Sequence, residues 1–286
     1  MKSQNFTNIE KIKEKYLNRY KDFNSLIPMN ILTYKGCILL VDIETIGDLN
    51  KMQSIFPYDI SYKVISINNG VLEVIEQGTL LIKDIFENKY HMKNAFFKNK
   101  IPYYLSKFNE YNLSKDKKYF EKVLDKEGAK RINALIKKYN IKIVSAYNVS
   151  FDYMGINNLF NENKTIKNNF KKLYKIDIMV LAFIYFLNFP KELLKFKRWC
   201  IKHNKRTENN NCSFTAETLY CFFFKTLKFK ENHTGLEDTK IELKIVQYII
   251  NKFIQENIKL EYKLGITKNN ISQWLYRGSD ALLSLK

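Results

Sequence analysis

Apolar residues in this chain recur with two distinct periods. CILLVDIET (37–45) is an apolar run of strand length that ends in two carboxylates, while ISYKVISIN (60–68) and VLEVIEQGTLLI (71–82) are rich in β-branched and aromatic residues. Asn69-Gly70 joins the last two. That dipeptide suits a two-residue hairpin, whose central positions both need positive φ. The pattern predicts a three-stranded antiparallel meander over 37–82. KKYFEKVLDKEGAKRINALIKKYN (117–140) then has a helical period interrupted by Gly128, IKIVSAYN (141–148) reads as a buried strand, and a helix follows from about Ser150. A helix between two strands of one sheet implies a parallel crossover, so the sheet is expected to be mixed.

Further along, PKELLKFKRWCIKHN, TAETLYCFFF and LEDTKIELKIVQYIINKF are helical in period. Residues 1–30 space Ile9, Ile12, Tyr16, Tyr20 and Phe23 as one face of an amphipathic helix that ends at Pro28. The most apolar stretch, IDIMVLAFIYFLNF (176–189), carries Asp177 and falls short of the ~20 residues a bilayer requires, so it reads as core and no membrane-spanning segment is expected.

Charge alters this picture more than length does. Lys and Arg number 48 against 29 Asp and Glu, a formal net charge of +19, which points to polyanionic partners: nucleic acid first, an anionic membrane surface second. NKTIKNNFKKLYK (163–175) holds only basic charges and KELLKFKRWCIKHNKR (191–206) a single Glu. Lysines of this kind would track a phosphate backbone without reading sequence, and Tyr103, Tyr104 or Phe151 could stack a frayed end.

Cys37, Cys200, Cys212 and Cys221 form no C-x-x-C pair and the N-terminus has no apolar leader core, which fits a reducing cytoplasm. With His203, the last three match no structural-zinc spacing. No G-x-x-x-x-G-K-[ST], G-x-G-x-x-G or G-x-S-x-G motif is present, which removes P-loop nucleotide hydrolysis and serine hydrolysis.

Candidate chemistry lies in carboxylates. Asp42 and Glu44 are two apart on a predicted strand and so share a face, where two like charges at the end of an apolar run call for a cation. Asp152, in AYNVSFD, falls in the first turn of the helix whose N-cap is Asn148 or Ser150. Asp238, in ENHTGLEDTKIEL, is nearly in line with Ile245 and Ile249 on the apolar stripe of its helix, and His233 precedes that helix in a loop.

Read in order, D-x-E at the end of strand one, F-D after strand four and H-x-x-x-x-D leading a late helix resemble the DEDDh branch of the DnaQ-like 3′-to-5′ exonuclease family. The similarity runs from residue 36 to about 255. It is nearest to small stand-alone members of phages and Firmicutes, in which stretches like KIPYYLSKF, WCIKHN, TAETLYCFFF and HTGLEDTKIE occur in this order. The resemblance implies an RNase H-like α/β fold with a mixed five-stranded sheet. It implies a domain at 36–255 between a helical extension at 1–35 and a second at 256–286.

It also implies two divalent ions, Mg²⁺ or Mn²⁺, held by Asp42, Glu44, Asp152 and Asp238, with Asp42 shared between them and His233 as general base. Thr45, Asn148 and Phe151 would contact the substrate. The implied reaction is 3′-to-5′ hydrolysis of single-stranded nucleic acid, DNA favoured over RNA, to nucleoside 5′-monophosphates. The implied setting is the cytoplasm of a bacterium, or of a host if the protein is viral, with a replication or repair partner.

A competing expectation comes from LEYKLGITKNNISQWLYRG (260–278). Leu260, Leu264, Gly265, Ile266, Ile271 and Trp274 have the spacing of a helix-turn-helix, although Glu261 occupies a position that is usually small. On that reading the chain is a sequence-specific DNA-binding protein on a vestigial nuclease core.

Overall fold

The computed structural model describes residues 9–16, 18, 27–47, 54–92, 111, 117–227, 229, 234–277 and 281–285. The chain divides into two compact units, one of Lys35–Tyr174 with Glu231–Lys240, the other of Met1–Tyr34, Lys175–Lys230 and Ile241–Lys286.

Six strands form a mixed sheet: β1 (Lys35–Ile46), β2 (Phe56–Asn68), β3 (Val71–Ile82), β4 (Phe120–Val123), β5 (Ile143–Ala146) and β6 (Tyr174–Asp177), in the order β4-β3-β2-β1-β5-β6. The chain passes from the first unit into the second within β6. β1, β2 and β3 are the expected meander, and Asn69 and Gly70 take φ of 51° and 77° at its hairpin. β5 runs parallel to β1 along Ile38–Leu40. With helices α1 (Asp125–Lys138) and α2 (Val149–Glu162) the arrangement is the expected RNase H-like α/β fold.

Six strands replace the expected five, and β4 corrects the helix expected from 117. Phe120–Val123 lies parallel to Thr79–Ile82, where the free edge of β3 offers unpaired backbone groups. Satisfying that edge outweighs a local helical period, which resumes only at Asp125.

Alternation along β1 decides what each face does. Leu39, Val41 and Ile43 join Ile60, Leu80, Ala129, Ile132, Ile156 and Leu159 in one buried core, which the apolar sides of α1 and α2 cover. Asp42 and Glu44 therefore belong to the other face.

In the second unit, α3 (Ile178–Asn188) is buried along nearly its whole length, in keeping with a core reading of this stretch, and among the described residues no helix is long and apolar enough to cross a membrane. α4 (Pro190–Lys202), α5 (Ala216–Phe223), most of α6 (Gly235–Gln255) and α7 (Lys268–Tyr276) complete it. Residues ahead of 35 and beyond 256 meet here: Pro28–Asn30 pairs antiparallel with Glu261–Lys263, and the Tyr16 ring lies edge-on to Trp274 at 5.5 Å.

That pairing overturns the helix-turn-helix expectation, because Glu261–Lys263 is a strand where the first helix would have to be. Leu260, Tyr262 and Leu264 are buried while Glu261 is exposed, a period of two in a segment that the motif needs at 3.6.

Candidate metal centre

β1 outruns its parallel partner. Pairing with β5 covers Ile38–Leu40 only, so beyond Val41 that edge of β1 has no neighbouring strand among the described residues. The Ile43 amide points out there and donates to Asp152 Oδ1 at 3.1 Å. Asp152 is 3% exposed and comes from the first turn of α2, which starts three residues after β5 behind Asn148 in the left-handed conformation (φ 63°, ψ 51°). Asn148 is thus the helix cap by position, without a side-chain cap bond.

Close approach of α2 to β1 depends on Gly155, one turn further along. A Cβ there would lie 2.3 Å from Ile43 Cδ1. The amide bond and the missing side chain together seat the start of α2 against the end of β1.

On the other face, Asp42 stands opposite Ser61 and Glu44 opposite Asp59 in the β1–β2 ladder, just before a register shift between Glu44 and Thr45. Asp238 enters from the first turn of α6. One carboxylate oxygen from each of Asp42, Glu44 and Asp238 lies within 4.8 Å of the other two. Glu44 is 8% exposed and the aspartates are half-buried.

Three anionic groups brought together out of bulk water repel one another and lose hydration. A divalent cation offsets both effects. Oxygens at about 2.0–2.6 Å from one ion lie within about 5 Å of each other, so this donor set fits Mg²⁺, Mn²⁺ or Ca²⁺.

Of the sequence-predicted residues, Asp42, Glu44 and Asp238 come together and Asp152 is one peptide away, bound to the residue between the first two. Thr45 is buried at the strand end, whereas Phe151 is half-buried and packs partly against the core under the helices. His233, Tyr103 and Tyr104 lie outside the described residues. In the basic stretch at 163–175, Lys164, Lys167, Lys171 and Lys172 are exposed.

Asp59 and Tyr111 are the additions that sequence reasoning missed. Asp59 is fully buried, and its carboxylate accepts hydrogen bonds from Ser61 Oγ at 2.7 Å, from the Tyr111 hydroxyl and from the Gly235 amide at 3.3 Å. Ser61 Oγ also lies 2.6 Å from Thr79 Oγ1. Burial, reinforced by the charge of Asp59, pushes the Tyr111 hydroxyl well above its ordinary range, which keeps it a donor. A usable signal was present: Asp59, Ser61 and Lys63 recur at a period of two in FPYDISYKV, the mark of a polar strand face.

No family model matches the chain, and no curated protein matches it. Among solved structures it is similar to a 3′-exonuclease described in its recognition of the 3′ end of a histone mRNA stem-loop, with a TM-score of 0.47 and 10% identity over 85% of this chain and 72% of that one. It is also similar to exonuclease I of E. coli in complex with a 5cy-dT13 oligonucleotide, with a TM-score of 0.46 and 13% identity over 78% and 42% of the two chains. For apo exonuclease I the TM-score is 0.44, at 13% identity over 78% and 45%. The chain spans less than half the length of these exonuclease I chains.

Proposed function

We propose that the protein is a metal-dependent 3′-to-5′ exonuclease of the DEDDh type that hydrolyses single-stranded nucleic acid, DNA in preference to RNA, to nucleoside 5′-monophosphates. The observation that carries this reading is the convergence of Asp42, Glu44 and Asp238 within 4.8 Å, with Asp152 tied to the amide between the first two. Asp152 and Asp238 stand far in sequence from the Asp42–Glu44 pair, and a hydrolase acting on phosphodiesters gives a reason to gather them.

Two divalent ions held by Asp42, Glu44, Asp152 and Asp238 would supply charge neutralisation at the attacking and leaving oxygens of the phosphodiester. The remaining work falls to the chain's own groups. His233, two residues ahead of the first residue of the helix that carries Asp238, takes the proton of the attacking water in its neutral form. Thr45 and Asn148 orient the terminal nucleotide, Phe151 contacts its base, and the exposed lysines of 163–175 hold upstream phosphates by charge alone. A cytoplasmic setting and a replication or repair partner belong to the same reading.

The test is degradation of 3′- and 5′-labelled single-stranded DNA and RNA with Mg²⁺, Mn²⁺ or EDTA. Mononucleotide release from the 3′ end, abolished by EDTA and faster on DNA, is expected. Endonucleolytic fragments, release from the 5′ end or indifference to EDTA would overturn the proposal.

A further inference from the structure

Asp59 faces Glu44 across the β1–β2 ladder and is fully buried, yet it is not one of the three carboxylates that come together. A buried carboxylate next to another is costly unless donors surround it. Ser61, Tyr111 and Gly235 surround this one.

The third donor is the informative one. Gly235 is the first residue of α6, and the first four amides of a helix have no acceptor within the helix. Asp59 accepts one of them from a strand 176 residues away in sequence, with its negative charge at the favoured end of the helix dipole. The fit there is tight on the other side as well. A Cβ on Gly235 would lie 2.7 Å from Ser61 Cβ and 3.0 Å from the Asp42 carbonyl oxygen, so the helix start rests directly on β1 and β2.

Asp238 lies in that same first turn. A tilt or slide of the helix start would carry its carboxylate away from Asp42 and Glu44, and ion sites require their ligands to be held within about 0.5 Å.

We infer that Asp59 is a positioning residue: it anchors the first turn of α6 to the sheet so that Asp238 completes the ion site with Asp42 and Glu44, while Tyr111 and Ser61 hold its carboxylate in place. This rests on the metal-dependent reading above. It also separates Asp59 from the ligands, because an anchor needs an acceptor oxygen and a ligand needs the charge.

The experiment titrates the full chain with Mn²⁺, by calorimetry without nucleic acid and by the Mn²⁺ dependence of single-stranded DNA hydrolysis. Supporting partners of metal ligands typically contribute about 10- to 100-fold in metal affinity, so Asp59→Ala should weaken Mn²⁺ binding by about that factor, with the rate largely recovering at saturating Mn²⁺. Asp59→Asn keeps an oxygen for the Gly235 amide and should restore most of the affinity. Ile60→Val, a core truncation on the opposite face, should lower Tm and leave the Mn²⁺ midpoint in place.

Wild-type affinity in Asp59→Ala overturns the inference, as does an equal loss in Asp59→Asn or in Ile60→Val. If Asp59→Ala does not fold, Tyr111→Phe decides: a smaller shift of the midpoint in the same direction supports the inference, and an unmoved midpoint overturns it. A wild-type protein that binds Mn²⁺ without hydrolysing DNA refutes the exonuclease reading alone, whereas one that does not bind Mn²⁺ refutes both.

Discussion

Asp152 Oδ1 and the amide of Ile43 are 3.1 Å apart across 109 residues of chain, and Ile43 is the residue between Asp42 and Glu44. One hydrogen bond thereby ties the fourth acidic residue to the strand end that carries the first two. Asp152 is in effect an acceptor for a strand edge that β5 has ceased to cover. The bond makes its carboxylate part of the fold as well as of the proposed site.

Replacing Asp152 separates these two roles. Asp152→Ala leaves the Ile43 amide without that acceptor and should cost about 1–3 kcal/mol of stability. Asp152→Asn keeps an acceptor oxygen and should remain near wild-type stability. Both variants should lose most hydrolysis. Denaturant unfolding together with release of the labelled 3′ nucleotide checks this, and an active Asp152→Asn would show that the carboxylate charge is not used.

Asp42→Ala should abolish hydrolysis while single-stranded DNA still binds, because the lysines proposed to hold phosphates are elsewhere. Affinity for both proteins should fall steeply with salt, in proportion to the number of phosphates neutralised. Filter binding across a salt series, run alongside turnover, is the measurement. Turnover within a few-fold of wild type would end the metal-ligand assignment of Asp42.

For His233→Ala, loss of a general base predicts a fall in turnover of roughly 10²- to 10⁴-fold with Mn²⁺ binding retained. The base works in its neutral form, so wild-type activity should rise with pH as the histidine loses its proton. That limb should vanish or move in the variant, whose deficit should be least at high pH, where hydroxide substitutes. An unchanged pH profile at full rate would assign His233 a structural role.

Gly155→Ala would place a Cβ 2.3 Å from Ile43 Cδ1. Ile43 must then rotate or α2 must retreat, and overpacking of this kind costs about 1–3 kcal/mol. Because the same contact seats Asp152, activity should fall further than the stability loss explains. Truncating the partner in Gly155→Ala/Ile43→Val should recover part of both, which a thermal melt and a turnover assay would read.

Glu76 provides a pH test of the fold away from the site. Burial alone would raise its carboxyl, but hydrogen bonds from Lys138 Nζ at 2.7 Å and the Tyr139 hydroxyl at 2.6 Å hold it below its ordinary value. A depressed carboxyl contributes stability that is complete above its unfolded pKa and is lost as pH falls through the folded one. Glu76→Gln should therefore melt lower than wild type at neutral pH, with the gap closing in acid. A gap that persists at the lowest pH would mean that the carboxylate charge does not matter there.

What the sequence by itself determined is local. Residues 71–82 form a strand over the expected span because turn chemistry and β-branched runs act over a few neighbouring positions. Asp42 and Glu44 share a face because alternation is a property of any strand, and Asp152 falls in the first turn of its helix because the strand-to-helix boundary was visible in AYNVSFD. The order of the carboxylates along the chain, too, needed no structure.

Tertiary structure decided what depends on partners distant in sequence. Phe120–Val123 became a strand because the free edge of β3 was there to pair with it, and Leu260–Leu264 took a period of two because Pro28–Asn30 was its neighbour. Alternation in FPYDISYKV puts Asp59 on a polar strand face, but only the fold sets Tyr111 and Gly235 around it, 52 and 176 residues away. Backbone groups and buried charges must be satisfied by whatever the chain brings alongside, and that is set by how strands and helices pack rather than by the residues next to them.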